Sequence, residues 1–260
     1  VETRLTDTGP YNDQPNWSPD GSKIAFHSNR DNNNEEIYVM KADGSDQVRI
    51  TNIVAVDSNP AWSPDGTKIT FNSNRDGNHE IYVMNADGSG QTRVTQDGAV
   101  DNEPSWAPGL NLSTAVAFTG RGANVYAMNQ DGSARTLVTT ASNTWGAAWS
   151  PDRQWIAYYG QDSGAFEVWK VKPDGTGKTK LTSLSGAVLA SPAAWSPDGS
   201  KIVFQVNNSA TGDKEQIYVM NADGTGQTRL INDTSAHYGS PSWSPDGAKV
   251  LFNSNRSGAG

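Results

Sequence analysis

The sequence predicts an all-β fold: a six-bladed β-propeller of four-stranded antiparallel blades, with residues 1–260 forming a single domain. Three observations predict it. A marker centred on Trp-Ser-Pro-Asp-Gly recurs at Trp17, Trp62, Trp106, Trp149, Trp195 and Trp243, with spacings of 45, 44, 43, 46 and 48 residues. A period of roughly 40–50 residues with strands throughout is the sign of propeller blades. Glycine (26), proline (13) and plentiful Asn and Asp stand beside nine tryptophans, and nothing reads as a long amphipathic helix. Turn formers interleaved with aromatic and β-branched residues make short strands joined by tight turns.

Each repeat divides into four strands. The first ends at the marker tryptophan, as in Gln14-Pro-Asn-Trp17 and Glu103-Pro-Ser-Trp106. Pro-Asp-Gly then turns the chain, because Pro presets φ and Gly accepts φ > 0. The second strand alternates apolar and polar, as in Lys23-Ile-Ala-Phe26, Lys68-Ile-Thr-Phe71 and Lys201-Ile-Val-Phe204. A polar loop such as Ser73-Asn-Arg-Asp-Gly77 leads to the third strand, Ile37-Tyr-Val-Met40 in its first copy. Asp-Gly closes a hairpin at Asp43, Asp87, Asp131, Asp174 and Asp223. The fourth strand is short, polar and Arg-bearing (Val48-Arg-Ile-Thr51, Thr92-Arg-Val-Thr95), which suits an outer edge that must resist pairing with other molecules. The marker tryptophans, fixed in every repeat, are expected to wedge between blades as core. Trp145 lies outside that position and is a candidate for a binding surface.

Bulk properties exclude several functions. Twenty basic against 28 acidic side chains give a formal charge of -8. That balance opposes nucleic-acid binding, which needs a basic face, and docking on anionic membrane. No apolar run nears the roughly 18–20 residues that span a bilayer. The chain starts at Val1 with no charged-then-apolar leader, which predicts a soluble protein, processed or cut from something longer. Cysteine is absent, so disulfides and thiolate metal sites are excluded.

Trp-Ser-Pro-Asp-Gly, Ser-Asn-Arg-Asp-Gly and Glu-Ile-Tyr-Val-Met-Asn-Ala-Asp-Gly together resemble the TolB-type (PD40) propeller repeat over essentially the whole chain. Two copies depart from it: Trp106-Ala-Pro-Gly109 lacks the Asp, and Arg153 replaces the Gly after Trp149. The resemblance implies a six-bladed propeller with a central channel, a periplasmic or secreted location, and a protein partner at one mouth. It also implies an N-terminal α/β domain in TolB itself that has no counterpart in these 260 residues.

Closure is expected to combine both termini in the sixth blade. Residues 3–6, Thr-Arg-Leu-Thr, read as an outer fourth strand; Trp243 ends a first strand, and Lys249-Val-Leu-Phe252 is a second. No third Ile-Tyr-Val-Met strand follows, so the sixth blade should have fewer strands than the others, through a truncated or engineered boundary. Alternatively the gap is filled by residues 1–6 sliding inward or by a strand from a partner, including a second copy.

The search for chemistry finds little. No Gly-x-Ser-x-Gly nucleophile turn occurs. The three histidines, His27, His79 and His237, fall at different repeat positions, so they are not expected to converge on a metal. Asp76-Gly-Asn-His-Glu80 and Asp31-Asn-Asn-Asn-Glu35 share the opening spacing of a calcium loop but lack its downstream glutamate, and hairpin polarity instead predicts a Glu80–Arg75 ion pair. The segments ahead of the marker tryptophans are more informative, including Ala190-Ser-Pro192. They are expected to line one channel mouth and supply the ligand-binding residues: Asp13, Gln14, Asp57, Asn59, Asp101 and Glu103 on an acidic side, Trp145, His237 and Tyr238 on an aromatic one. Converging carboxylates would favour an axial Ca2+ or other cation, with no further cofactor expected. The expectation is a non-enzymatic scaffold that binds a protein, peptide or small polar ligand at the mouth. The alternatives are a metal-assisted polysaccharide lyase or hydrolase using His237 and acids in the channel, and a designed or truncated propeller that assembles through its open edge.

Overall fold

A computed structural model of the chain describes all residues except 1, 7–10, 32, 97, 110–115, 121, 141–142, 162–164, 184–192, 208–213 and 257–260. It contains five four-stranded antiparallel blades. The first is Asn12–Trp17, Lys23–Ser28, Glu36–Lys41 and Val48–Arg49; the second is Asp57–Trp62, Lys68–Ser73, Glu80–Asn85 and Thr92–Arg93. The third is Asn102–Trp106, Val116–Gly120, Asn124–Met128 and Thr136–Leu137; the fourth is Thr144–Trp149, Ile156–Gly160, Glu167–Val171 and Thr179–Lys180. The fifth is Ala194–Trp195, Lys201–Val206, Gln216–Asn221 and Thr228–Arg229. A two-stranded sheet, Tyr238–Trp243 with Val250–Ser254, takes the remaining place and touches both the fifth blade and the first. The expectation of six blades, the last short of one strand, is thereby corrected. Among the described residues five blades are complete, and the closing sheet has two paired strands.

The marker motif acts as a locked turn. Ser18 Oγ donates to Asp20 Oδ1 (2.6 Å), Lys23 N–H donates to Ser18 Oγ (2.9 Å) and Ser22 N–H donates to Asp20 Oδ1 (3.0 Å). The Ser18 and Ser22 donors hold the Asp20 carboxyl down at about 2. The glycine then lies against the proline of the preceding repeat: Gly66 on Pro19, Gly199 on Pro151, Gly247 on Pro197, and, closing the ring, Gly21 on Pro245. The two degraded copies fit one another. Arg153 takes φ 62° where other repeats use Gly, and its guanidinium fills the space where a side chain on Gly109 would stand.

Between blades the marker tryptophans are buried or half-buried, with Trp62 and Trp149 inside apolar clusters. The indole N–H groups of Trp106 and Trp195 donate to Ala61 O (3.1 Å) and Ala148 O (3.2 Å) of the preceding blade. In all five blades an aromatic of the second strand faces one of the third: Phe26–Tyr38, Phe71–Tyr82, Phe118–Tyr126, Tyr158–Trp169 and Phe204–Tyr218. Such pairs contribute roughly 0.5–1.5 kcal/mol beyond their buried area.

Candidate functional site at the channel mouth

The channel is built by a bulge that the strand pattern does not announce. Pairing of the first strand with the second slips one residue early in the strand in the first four blades and in the closing sheet. The residue at the slip has φ between 49° and 66°: Gln14, Asn59, Glu103, Gly146 and Ser240. A left-handed residue at a bulge turns the strand and re-aims its side chain, here toward the axis. Gln14, Asn59, Glu103 and Ser240, with the Pro that follows each and with Ala147, line a central cavity of about 270 Å3.

Glu103 is the only carboxylate on that lining among the described residues. Its Oε2 accepts Gly146 N–H at 2.6 Å and the Thr119 hydroxyl at 3.5 Å, a bridge from the third blade to the fourth. Burial pushes its carboxyl upward, and these two donors oppose that only in part. Ser240 N–H is held in a similar way by Gln205 Oε1 of the preceding blade, at 3.1 Å.

The other acids expected at the mouth are placed elsewhere. Asp57 is fully buried and accepts Arg75 at 2.9 Å, while Asp101 takes two contacts of 3.2 Å from Arg135. Both arginines lie over the blade's aromatic pair: Arg75 is 5.4 and 4.6 Å from the Phe71 and Tyr82 centroids, and Arg135 is 4.8 and 4.3 Å from Phe118 and Tyr126. The first blade builds the same clamp from Arg30, with Asn12 as acceptor at 2.6 Å. These acids therefore neutralise arginines packed within their own blades. The Glu80–Arg75 pair is likewise corrected, since Glu80 pairs with Arg93 (2.5 Å). Tyr238 is fully buried and donates to Asp233 (3.0 Å). Asp13 accepts from Tyr11 OH, Gln14 N–H and Asn253, each at 2.7 Å. Thus Gln14, Asn59 and Glu103 share the channel, whereas Asp57, Asp101 and Tyr238 do not line it. Trp145, one residue before the bulge glycine, stands 45% exposed opposite Tyr159.

The histidines stay apart. Burial lowers the His27 ring, which tilts against Tyr11. His79 Nδ1 meets Asn72 (3.1 Å), and His237 pairs with Glu215. No three His, Cys, Asp or Glu side chains stand together as a metal site among the described residues. The expected Ala190-Ser-Pro192 contribution lies outside those residues. The segments ending at Gly146 and Ser240 are also expected at the mouth; the structure puts Ser240 on the channel lining, while Gly146 gives its amide to Glu103. Their signal was positional: both align with Gln14, Asn59 and Glu103, and in four of the five aligned repeats a proline follows directly.

A closed ring of antiparallel blades around a polar-lined axial cavity defines a β-propeller whose distinctive surfaces are its channel and mouths. The chain belongs to the PD40 family, the TolB β-propeller domain, whose model matches residues 2–193 and 124–260. Among solved structures it is similar to a protein from Agrobacterium tumefaciens assigned as a TolB (22% identity, TM-score 0.76), covering 94% of this chain and 89% of that one. It is equally similar in fold to TolB from Acinetobacter baumannii (24%, TM-score 0.76), over 90% of this chain but only 57% of that longer one. An oligogalacturonate lyase from Vibrio parahaemolyticus matches more loosely (16%, TM-score 0.58; 96% and 89% covered). At these identities the likeness is one of fold. No helix among the described residues is long and apolar enough to cross a membrane.

Proposed function

We propose that this chain is a non-enzymatic interaction scaffold, six-bladed in plan and secreted or periplasmic, that takes a protein or peptide segment at the channel mouth. The observation that carries it is the pairing of an exposed Trp145 with the half-buried Glu103, joined through the Gly146 amide. An exposed tryptophan at the end of a rigid scaffold supplies stacking area at low entropic cost. A carboxylate already holding one backbone amide is suited to a ligand that offers further donors. The ligand class that fits is an extended segment bearing an aromatic or basic side chain. The test is a displayed peptide library panned against the immobilised chain. Enriched peptides should bind about ten-fold or more weakly to Trp145→Ala and should respond to Glu103→Gln. Enriched peptides indifferent to both substitutions would overturn the mouth as the binding surface, and specific turnover of oligogalacturonate would overturn the non-enzymatic role.

A further inference from the structure

We propose that the seam between the fourth and fifth blades holds a binding site for a short neutral saccharide. A cleft of about 460 Å3 opens there, within the roughly 300–1,000 Å3 of small-molecule sites. It lies at the Pro-Asp turns that follow Trp149 and Trp195, the opposite end of the fourth blade's first strand from Trp145. The fourth blade departs from the others at two positions that meet in this cleft. Trp155 precedes the second strand where the first, second and fifth blades and the closing sheet carry Lys23, Lys68, Lys201 and Lys249. Lys170 takes the third-strand register that Val39, Val83, Ala127 and Val219 hold elsewhere. A cation and an apolar group have changed places, and both line the cleft.

An ammonium in such a seam needs partners, because burying one unpaired is costly. Lys170 Nζ donates across the seam to Ala222 O at 2.9 Å and stands 4.8 Å from the Trp155 ring centroid. An ammonium carries three N–H donors, and among the described residues Lys170 gives only this one hydrogen bond. Asp152 supplies an acceptor. Its Oδ1 takes the Ser150 hydroxyl at 2.6 Å and Gln154 N–H at 3.0 Å. In the first and fifth blades the second oxygen takes a hydroxyl as well, Ser22 on Asp20 and Ser200 on Asp198, each at 2.8 Å. Gln154 stands in place of that serine, so Asp152 Oδ2 has no donor among the described residues. Trp155 and Trp195 add indole surface to the cleft. Gly177 leaves room for the first of them, since a Cβ there would stand 3.3 Å from the Trp155 ring. Indole surface beside one donor and one acceptor fits a sugar, whose C–H face packs on aromatic rings and whose hydroxyls both donate and accept. Charge selects among sugars. Serine hydroxyls and backbone amides hold the Asp152 carboxyl below its usual range and the Asp198 carboxyl down at about 2. Two carboxylates against Lys170 leave the cleft net negative at neutral pH, which disfavours uronates.

The test is an array of immobilised neutral and uronate oligosaccharides probed with the labelled whole chain, with hits titrated by calorimetry. Neutral glycans should be retained, with saturable binding at about 1 mM or tighter. Trp155→Lys together with Lys170→Val gives the fourth blade the pair that the first, second and fifth blades already fold with. It should weaken binding about ten-fold or more. Asp152→Asn keeps the turn's acceptor and should weaken binding about five-fold. Trp145→Ala should leave it unchanged, which separates the seam from the mouth. An array that retains no neutral glycan would overturn the proposal. So would a preference for uronates, or retention that neither the paired substitution nor Asp152→Asn weakens.

Discussion

Asp57 offers a sharp test of how a blade is held together, because the ring contains its own control. The carboxylate is fully buried and Arg75 is 11% exposed, so their 2.9 Å contact is largely shielded from water. Removing one partner of a buried pair leaves an uncompensated charge and costs about 3–5 kcal/mol. Arg75 keeps Gln91 (2.6 Å), Ser73 (2.8 Å) and two ring faces, which places Asp57→Ala at the low end, about 3 kcal/mol. Asp57→Asn is a milder change, since the first blade already runs this clamp with Asn12 as acceptor to Arg30. A neutral acceptor in place of a charged one should cost only about 1 kcal/mol. Urea unfolding at pH 7, followed by tryptophan fluorescence, gives both values. Adding Arg75→Met to Asp57→Ala should recover part of the loss by removing the orphaned charge. An Asp57→Ala cost below about 1 kcal/mol, or an Asn variant as damaged as the Ala variant, would refute the clamp.

Two further predictions follow from single positions. Burial raises the Glu103 carboxyl, so the folded state takes up a proton at a higher pH than the unfolded chain, and this residue's unfavourable contribution is largest at neutral pH and fades as pH falls toward the unfolded value. Glu103→Gln should therefore stabilise the fold at pH 7, with the advantage over wild type shrinking toward pH 5; an advantage that grows on acidification would contradict this. Gly77 and Gly88 both have positive φ, yet only Gly88 has backbone, the Ile50 carbonyl, where a Cβ would go. In thermal melts Gly77→Ala should lose about 1–2 kcal/mol from backbone strain, and Gly88→Ala roughly 1–3 kcal/mol more from overpacking; equal losses would count against the tight blade-to-blade register.

The blade plan was legible because the tryptophan, Pro-Asp-Gly turn and Ile-Tyr-Val-Met strand each serve a local need repeated at a fixed period. The site was less legible. Asp57 and Asp101 read as mouth acids because their partners, Arg75 and Arg135, lie 18 and 34 residues away in sequence and meet them only after the hairpins fold. Gln14, Asn59 and Glu103 were legible as mouth residues, but the bulge that aims them was not. Strict alternation gives neighbouring residues opposite faces, but the left-handed turn at Gln14, Asn59 and Glu103 breaks that count and sends their side chains to the channel. Pairing at the closing sheet was partly readable. A missing Ile-Tyr-Val-Met strand could be counted and residues 3–6 read as a fourth strand, and the carbonyl of Leu5 against Gly44 shows that this place is kept.

The most direct measurement is hydrogen–deuterium exchange across the second strands. Amides of Lys23–Ser28 and Lys68–Ser73, flanked by paired strands on both sides, should be uniformly protected. In Val250–Ser254 those directed away from Tyr238–Trp243 should exchange rapidly. Protection across 250–254 equal to that of 68–73 would contradict an open closing sheet.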